Sequence, residues 1–149
     1  DRNAERLLVH MLDTYEQYEP HTIWEVYSPS EPRPATYKQN KGVFRPEFCG
    51  WSALGPISML IENVLGFHEI LAHKKAVKWR LHRTKRHGIK RLRFGMILTD
   101  LLYEDGNIDV QASDSYLLVV NGEEFKIDAG IQQLSVEPVP LQAEGNFHD

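Results

Sequence analysis

Apolar residues recur at helical spacing near the start of the chain. Each of them lies three or four positions from another apolar residue, which places them on one stripe of an α-helix. Asn3 can cap the first turn with its side-chain oxygen, and Pro20 cannot continue a helix. The pattern predicts a first helix over residues 4–18, with a stripe formed by Ala4, Leu7, Leu8, Met11, Leu12, Tyr15 and Tyr18.

A short segment and a long loop follow this helix. Residues 22–27 are β-branched or aromatic apart from one acid, Glu25, so an extended backbone is predicted. Three prolines between Ser28 and Pro34 exclude a helix or a central strand. The chain stays polar and basic as far as Pro46, through Lys38, Lys41 and Arg45. Loops of this length without regular structure are typical of segments that shape a site.

A second apolar stripe of helical spacing precedes Phe67. Pro56 is favourable as the first residue of a helix because its missing N–H needs no partner there, and Ser52, as an N-cap, is the other candidate start. Gly66 is suited to a left-handed terminator. We expect the buried face of this helix to consist of Ile57, Leu60, Ile61, Val64 and Leu65.

The period of the pattern changes from about 3.6 residues to 2 after Phe67, which indicates a domain boundary within residues 68–75. Strands are predicted around Val77, Trp79 and Leu81, around Leu92, Phe94 and Met96, and over residues 107–112 and 116–120. Asn121-Gly122 predicts a hairpin to residues 123–127. The residues from Pro138 onward are expected to form a tail.

Composition and charge are those of an ordinary soluble globular protein. The chain has 149 residues and a net charge of −4, enough for one domain or two small ones. The longest apolar run, residues 57–65, contains Ser58, Glu62 and Asn63, so it falls short of the roughly 18 apolar residues of a membrane span. We therefore predict no membrane segment.

A single cysteine, Cys49, excludes an internal disulfide and a structural zinc site. We expect Cys49 to be a small buried residue, and we predict neither a metal site nor a cofactor. The chain begins at Asp1, without a methionine or a basic-then-apolar leader, which suggests a trimmed or excised product. The cellular compartment stays open.

Two pieces of the sequence resemble a known group of enzymes. Trp24-Glu25-Val26-Tyr27 resembles the Trp-Glu-x-Tyr element of trehalase-like glycosidases, particularly glycoside hydrolase family 63 and the mannosylglycerate hydrolases. Residues 48–67, FCGWSALGPISMLIENVLGF, resemble the last barrel-helix segment of the same enzymes, a Gly-Trp-Ser-x-Leu-Gly-Pro run before an apolar helix. The two elements together, in this order, are more specific than either one alone.

The resemblance implies a fold and a set of roles. The fold class would be α+β, with residues 1–70 as the C-terminal helices of an (α/α)6 toroid and residues 71–149 as a small antiparallel β-sheet or sandwich. Glu25 would be the general base that draws a proton from the attacking water. Trp24, Tyr27 and Trp51, with Ser52, would line the substrate site, because aromatic faces pack against sugar C–H edges.

The same resemblance implies that the site is incomplete. A twelve-helix toroid needs around 200 to 300 residues at common helix and loop lengths. The general acid of these families is an aspartate in an upstream part of the toroid, and no aspartate of this chain lies in a matching motif. We therefore expect a fragment or truncated relative of an inverting α-glycosidase acting on α-glucosides or related small glycosides, inactive alone. Its exposed apolar stripes would self-associate or bind the missing part.

Two other functions remain open. A non-catalytic carbohydrate-binding or interaction module would use the same aromatic residues without needing Glu25. A nucleic-acid binder would use residues 74–93, which hold ten of the 17 lysines and arginines and no acid. The second is less favoured because the basic residues occupy alternate strand positions and a turn, as on a solvated sheet face, and because no phosphate-binding glycine motif is present.

Overall fold

A computed structural model describes residues 2–36, 42 and 48–140. The polar and basic stretch predicted around Lys38, Lys41 and Arg45 lies outside the described residues, as does most of the predicted tail. The chain divides into two compact units, residues 1–64 and 65–149. Each unit has its own set of elements, and the two are described separately.

The first unit contains two α-helices. Helix α1 spans Arg2–Gln17 and helix α2 spans Gly50–Ser58, continuing into a π-helical segment over Met59–Val64. Asn3 therefore lies inside α1 rather than at its cap. The predicted start of the second helix is wrong, because α2 begins with Cys49 as N-cap and contains Pro56. Pro56 lacks the backbone N–H that an inner helical turn needs. The backbone hydrogen bonds change from α-helical to π-helical spacing soon after it, from Met59 onward.

The second unit contains eight strands. They are β1 (Phe67–Leu71), β2 (Ala76–Trp79), β3 (His87–Phe94), β4 (Ile97–Glu104), β5 (Asn107–Ala112), β6 (Tyr116–Val120), β7 (Glu123–Ile127) and β8 (Gly130–Ser135). One sheet has the order β1-β2-β6-β7, and the other has the order β3-β4-β5-β8. All pairs are antiparallel except β2 with β6, which is parallel. The strands at 107–112, 116–120 and 123–127 are confirmed.

The predicted fold class is wrong. Two four-stranded sheets form a β-sandwich, and the described part of the chain has two α-helices that do not form the C-terminal end of an (α/α)6 toroid. The helical pattern correctly indicated that each helix forms, but a local pattern carries no information on how many further helices surround it. The buried side chains lie mostly on strands, and β1 begins at Phe67, before residue 71.

The core of the sandwich lies between its two sheets. Trp79 is fully buried, stacks on Phe67 at 4.5 Å between ring centroids, and donates its indole N–H to the Leu65 carbonyl at 2.7 Å. From the other sheet, Thr99 Oγ1 lies 3.1 Å from the Tyr116 hydroxyl. Burial raises the pKa of Tyr116 to about 12. Val77, Trp79 and Leu81 are all fully buried, and the strand predicted around them ends at Trp79.

Met96 departs from the predicted strand pattern. The strand that was expected to run through it ends at Phe94, and Met96 is 88% exposed. Gly95 has a φ of 58°, which turns the chain from β3 into β4. A period of two continues across this turn by coincidence, so the sequence pattern hid the end of the strand.

His87 lies at the edge of the sandwich core. Its ring is edge-on to Trp79 at 5.6 Å and tilted against Tyr103 at 5.5 Å. Its Nδ1 lies 2.7 Å from the Lys85 carbonyl, so Nδ1 is the protonated nitrogen. Its Nε2 is buried and has no hydrogen-bond partner among the described residues. Burial lowers the pKa of His87, with nearby Arg83 adding to the effect.

We expect the second unit to lose stability as the pH falls below about 6.5, the ordinary pKa of histidine. Between that value and the lower pKa of folded His87, the unfolded chain binds a proton that the folded ring does not. His87→Phe keeps an aromatic ring and removes the proton, so its free energy of unfolding should vary less with pH. Urea unfolding followed by the Trp79 indole NMR signal measures this. Exposed His73→Phe serves as control and should keep the wild-type slope; equal slopes for wild type and His87→Phe would contradict the expectation.

Alanine substitutions at two glycines distinguish the cost of backbone strain from the cost of steric overlap. Gly66 has a φ of 91°, as predicted for a left-handed terminator, and a Cβ there would lie 2.1 Å from the Arg80 carbonyl oxygen. Gly122 has a φ of 90° and no atom within 4 Å of such a Cβ. We expect Gly122→Ala to lower the free energy of unfolding by about 1 kcal/mol and Gly66→Ala by about 3 kcal/mol or more. Similar losses in urea unfolding would show that the close approach to Arg80 is not rigid.

Candidate functional site

The loop after α1 is closed by backbone hydrogen bonds. Ser28 N–H donates to the Arg33 carbonyl and Ala35 N–H donates to the Val26 carbonyl, both at 2.9 Å. His10 Nε2 on α1 lies 2.9 Å from the Ser28 carbonyl oxygen. Ser28 itself is buried. The proline-rich segment is thus a folded loop attached to α1, in part through His10, a residue that sequence reasoning did not identify.

The two motif segments lie side by side. Cys49, which precedes α2, donates its backbone N–H to the carbonyl oxygen of Ile23 at 3.0 Å. This bond joins the extended segment around Glu25 to the start of the helix that carries Trp51. Cys49 is buried, as the sequence predicts. The structure therefore brings together two pieces that are separated by the twenty residues 28–47.

Tyr27 fixes the backbone of the extended segment. Its hydroxyl oxygen accepts a hydrogen bond from the Trp24 backbone N–H at 3.1 Å. The side chain of Tyr27 is half-buried, and burial raises its pKa, while the hydrogen bond from Trp24 partly opposes the rise. Tyr27, the tyrosine of the Trp-Glu-x-Tyr element, therefore contacts the Trp24 backbone. Alternation along a strand does not predict this contact.

Trp24 is placed inside the first unit. Its side chain is 2% exposed, so its ring faces contact protein rather than solvent. Its indole Nε1 is buried and lacks a hydrogen-bond partner among the described residues. A buried N–H without a partner costs about 1–3 kcal/mol. The role of Trp24 in substrate binding stays a prediction, and the residue contributes to the core.

Glu25, Trp51 and Ser52 remain accessible to different degrees. Glu25 and Ser52 are half-buried, and Trp51, in the first turn of α2, is 65% exposed. Ser52 Oγ donates to Cys49 Sγ at 3.3 Å. An exposed indole offers a flat apolar face together with a polar N–H. The arrangement can present a carboxylate and an aromatic face at neighbouring segments.

A shallow groove of about 460 Å³ follows another part of the first unit. It runs along α1 and past Pro32. None of the five predicted site residues lines it, and its walls are formed by Arg2, Glu5, Arg6, Val9, His10, Asp13 and Pro32.

A larger cleft, about 670 Å³, lies on the second unit. Its walls combine both signs of charge, since Lys78, Arg80 and Glu124 all line it. Lys78 pairs with Glu69 at 2.9 Å. The cleft therefore has no strong preference for one charge, and its remaining walls include Trp79, Val119, Val139 and Pro140.

The basic segment over residues 74–93 lies beside acids from β4 and from the turn between β5 and β6. Lys75 pairs with Asp114 at 3.0 Å and Arg86 pairs with Glu104 at 3.2 Å. The backbone N–H of Arg91 donates to Asp100. These pairs reduce the positive field that binding to a phosphate backbone would need.

Membrane-spanning helices and metal-binding clusters are both absent from the part of the chain that the structure describes. No helix there is both long enough and apolar enough to cross a membrane. No three histidine, cysteine or acidic side chains in it are grouped so that they could hold a metal ion.

Removal of the Tyr27 hydroxyl tests the geometry of the motif. We expect Tyr27→Phe to lower the stability of the first unit by about 1 kcal/mol, because the Trp24 backbone N–H loses its acceptor. Amide exchange of Trp24, measured by NMR, should become faster. Tyr18→Phe, at an exposed tyrosine, is the matched control and should leave the Trp24 amide unchanged. An unchanged Trp24 amide in Tyr27→Phe would show that the contact is not formed in solution.

Comparisons with known proteins are sparse. No protein-family model and no curated protein matches the chain. Among solved structures, the chain is similar to one described as a kojibiose phosphorylase from human microbiome, with 9% sequence identity and a TM-score of 0.44. The match covers 60% of this chain and 12% of that one. A distant structural neighbour is thus, by its name, a glycoside phosphorylase, and no family is assigned.

Proposed function

We propose that residues 22–27 and the start of α2 carry the general-base side of an inverting α-glycosidase site that acts on α-glucosides or related small glycosides. The observation that carries this proposal is the hydrogen bond from Cys49 N–H to the Ile23 carbonyl. This bond joins two segments that each resemble trehalase-like glycosidases. The resemblance comes from their sequences and does not depend on where the segments lie in space. Glu25 is then the base, and Trp51 and Ser52 contact the sugar.

The chemistry assigns Glu25 one step. Inverting hydrolysis needs a carboxylate that takes a proton from water and a protonated carboxyl group about 6.5–9.5 Å away that protonates the leaving oxygen. Glu25 is half-buried, which suits a base that contacts both water and a substrate. The acid is supplied by polypeptide other than residues 22–27 and 48–52.

Trp51 and the other aromatic residues have different parts in this proposal. The exposed indole of Trp51 stacks on a pyranose ring, as tryptophan does at sugar sites. Tyr27 holds the backbone on which Glu25 lies, through its contact with Trp24. Trp24, which is 2% exposed, supports the site from the core.

The helices of the first unit expose apolar surface that another polypeptide could cover. Leu7 and Leu12 of α1 are 55% and 54% exposed, and Leu54 and Ile57 of α2 are 67% and 54% exposed. Contiguous apolar surface on a protein commonly marks an interaction site. We propose that the part of the site that supplies the acid docks here, either as a further polypeptide segment or as a second copy of the chain.

A charged ligand separates a catalytic base from a residue that only lines a sugar site. A protonated piperidine iminosugar carries the positive charge of an oxocarbenium-like transition state. We expect Glu25→Gln to weaken its binding at least about ten-fold, because a charge-assisted contact is lost. Binding of neutral glucose should change little. The Trp51 indole NMR signal reports both titrations, and Glu31→Gln, an exposed acid paired with Arg33, is the control.

Two outcomes bear on the proposal directly. If Glu25→Gln leaves binding of the iminosugar and of glucose unaltered, the chain is a carbohydrate-binding module without a catalytic base. The purified chain should also release no sugar from trehalose, glucosyl-mannose, mannosylglycerate or glucosylglycerate, because it lacks the acid. Clear turnover that Glu25→Gln abolishes would contradict the need for a second polypeptide.

A further inference from the structure

Strand β8 forms an edge of the second sheet. Its neighbour on one side is β5, and on its other side the described part of the chain places no strand. Pairing with β5 is unbroken over six residue pairs, from Asn107 with Ser135 to Ala112 with Gly130. The edge is therefore regular, and its outward-facing backbone groups are arranged as a template for a further strand.

The other three sheet edges carry devices that discourage strand addition. The register of β1 shifts between Phe67 and Glu69. The register of β3 shifts between Ile89 and Leu92, where Arg91 has a φ of 57°. Strand β7 carries three charged residues in five, Glu123, Glu124 and Lys126. Bulges and charges of this kind are what natural sheets use to prevent edge pairing.

Strand β8 has none of these devices. Its sequence, GIQQLS, contains no charged residue and no proline. Ile131, whose side chain is 83% exposed, lies on the outer face of the sheet with Gln133. Gln132 and Leu134 lie on the inner face, opposite the buried residues Val110 and Ile108. An exposed β-branched residue on a neutral edge favours pairing with another strand.

We propose that β8 pairs antiparallel with β8 of a second copy of this chain, about a two-fold axis. A second copy presents the same uncharged strand, so the two edges can approach without repulsion between like charges on β8, although each chain carries a net charge of −4. This proposal rests on the second unit and is independent of the proposed function.

Of the pairings about a two-fold axis, the two centred on Gln132 and Gln133 each pair five of the six residues of β8, and both are free of conflict. Centred on Gln132, the pair places Ile131 opposite Gln133 of the other copy. Centred on Gln133, it places Ile131 opposite Ser135 and Gln132 opposite Leu134. No charged residue faces another in either register. An interface of one short strand from each copy is small, so we expect a weak dimer that forms at high concentration.

Lysines on β8 test the pairing. In Ile131→Lys/Gln133→Lys, lysine faces lysine of the other copy in both registers. Gln111→Lys/Glu104→Gln is the charge-matched control, because it changes the net charge by the same amount on the same face of the sheet. Both of its positions are exposed and lie on inner strands, away from the edge. Leu12→Lys tests whether the apolar surface of α1 causes the association instead.

Sedimentation equilibrium from about 10 µM to about 1 mM should show the mass rising from 17.2 kDa toward twice that value. The Gln111→Lys/Glu104→Gln control should dimerise like the wild type, and the β8 variant at least about ten-fold more weakly. In the wild type, amide exchange over residues 130–135 should slow as the protein concentration rises. In the β8 variant it should not depend on concentration. A monomer throughout, a dimer that the β8 variant retains, or a dimer that Leu12→Lys alone abolishes would overturn the proposal.

Discussion

The burial of Trp79 between the two sheets is the contact on which the second unit depends. The indole stacks on Phe67 and donates its N–H to the Leu65 carbonyl, and His87 packs edge-on from the opposite sheet. Aromatic side chains of this size bury about 150–250 Å² each, worth several kcal/mol at about 25 cal/mol per Å². Net stabilities are about 5–15 kcal/mol, so the loss of even part of this burial would be large compared with the net stability of the sandwich.

The first unit is held in a different way. Few of its large side chains are buried, and the described contacts that order its loop are hydrogen bonds, from Cys49 to Ile23, from Trp24 to Tyr27 and between His10 and Ser28. Each such bond contributes only about 0.5–1.5 kcal/mol. A unit of this kind positions polar and aromatic groups while leaving apolar helix surface uncovered, which is the physical basis for the proposal that another polypeptide completes the site.

Local chemistry explains which elements could be predicted from the sequence. Asn121 and Gly122 have φ values of 52° and 90°, the left-handed conformations that a tight hairpin requires, and the dipeptide alone predicts them. The parallel pairing of β2 with β6 joins segments nearly forty residues apart, and no local pattern specifies it. The toroid, which the resemblance of two short motifs implied, was wrong for the same reason, since short motifs and helical periodicity indicate a helix but not its neighbours.

The candidate site could also be predicted from the sequence only in part. The order of two short motifs singled out Glu25 and Trp51, and the extended backbone around Glu25 follows from β-branched and aromatic neighbours. The burial of Trp24 and the bond from its N–H to the Tyr27 hydroxyl depend on the folded path of the loop. Sequence alternation places Trp24 and Tyr27 on opposite sides of a strand, so it could not predict their contact.

The Glu25 segment and the start of α2 are joined by the hydrogen bond from Cys49 N–H to the Ile23 carbonyl. Scalar coupling across that hydrogen bond, between the Cys49 amide nitrogen and the Ile23 carbonyl carbon, measures it directly by NMR. We expect a detectable coupling and a Cys49 amide protected from exchange. Absence of the coupling, together with exchange as fast as in an unstructured peptide, would contradict it.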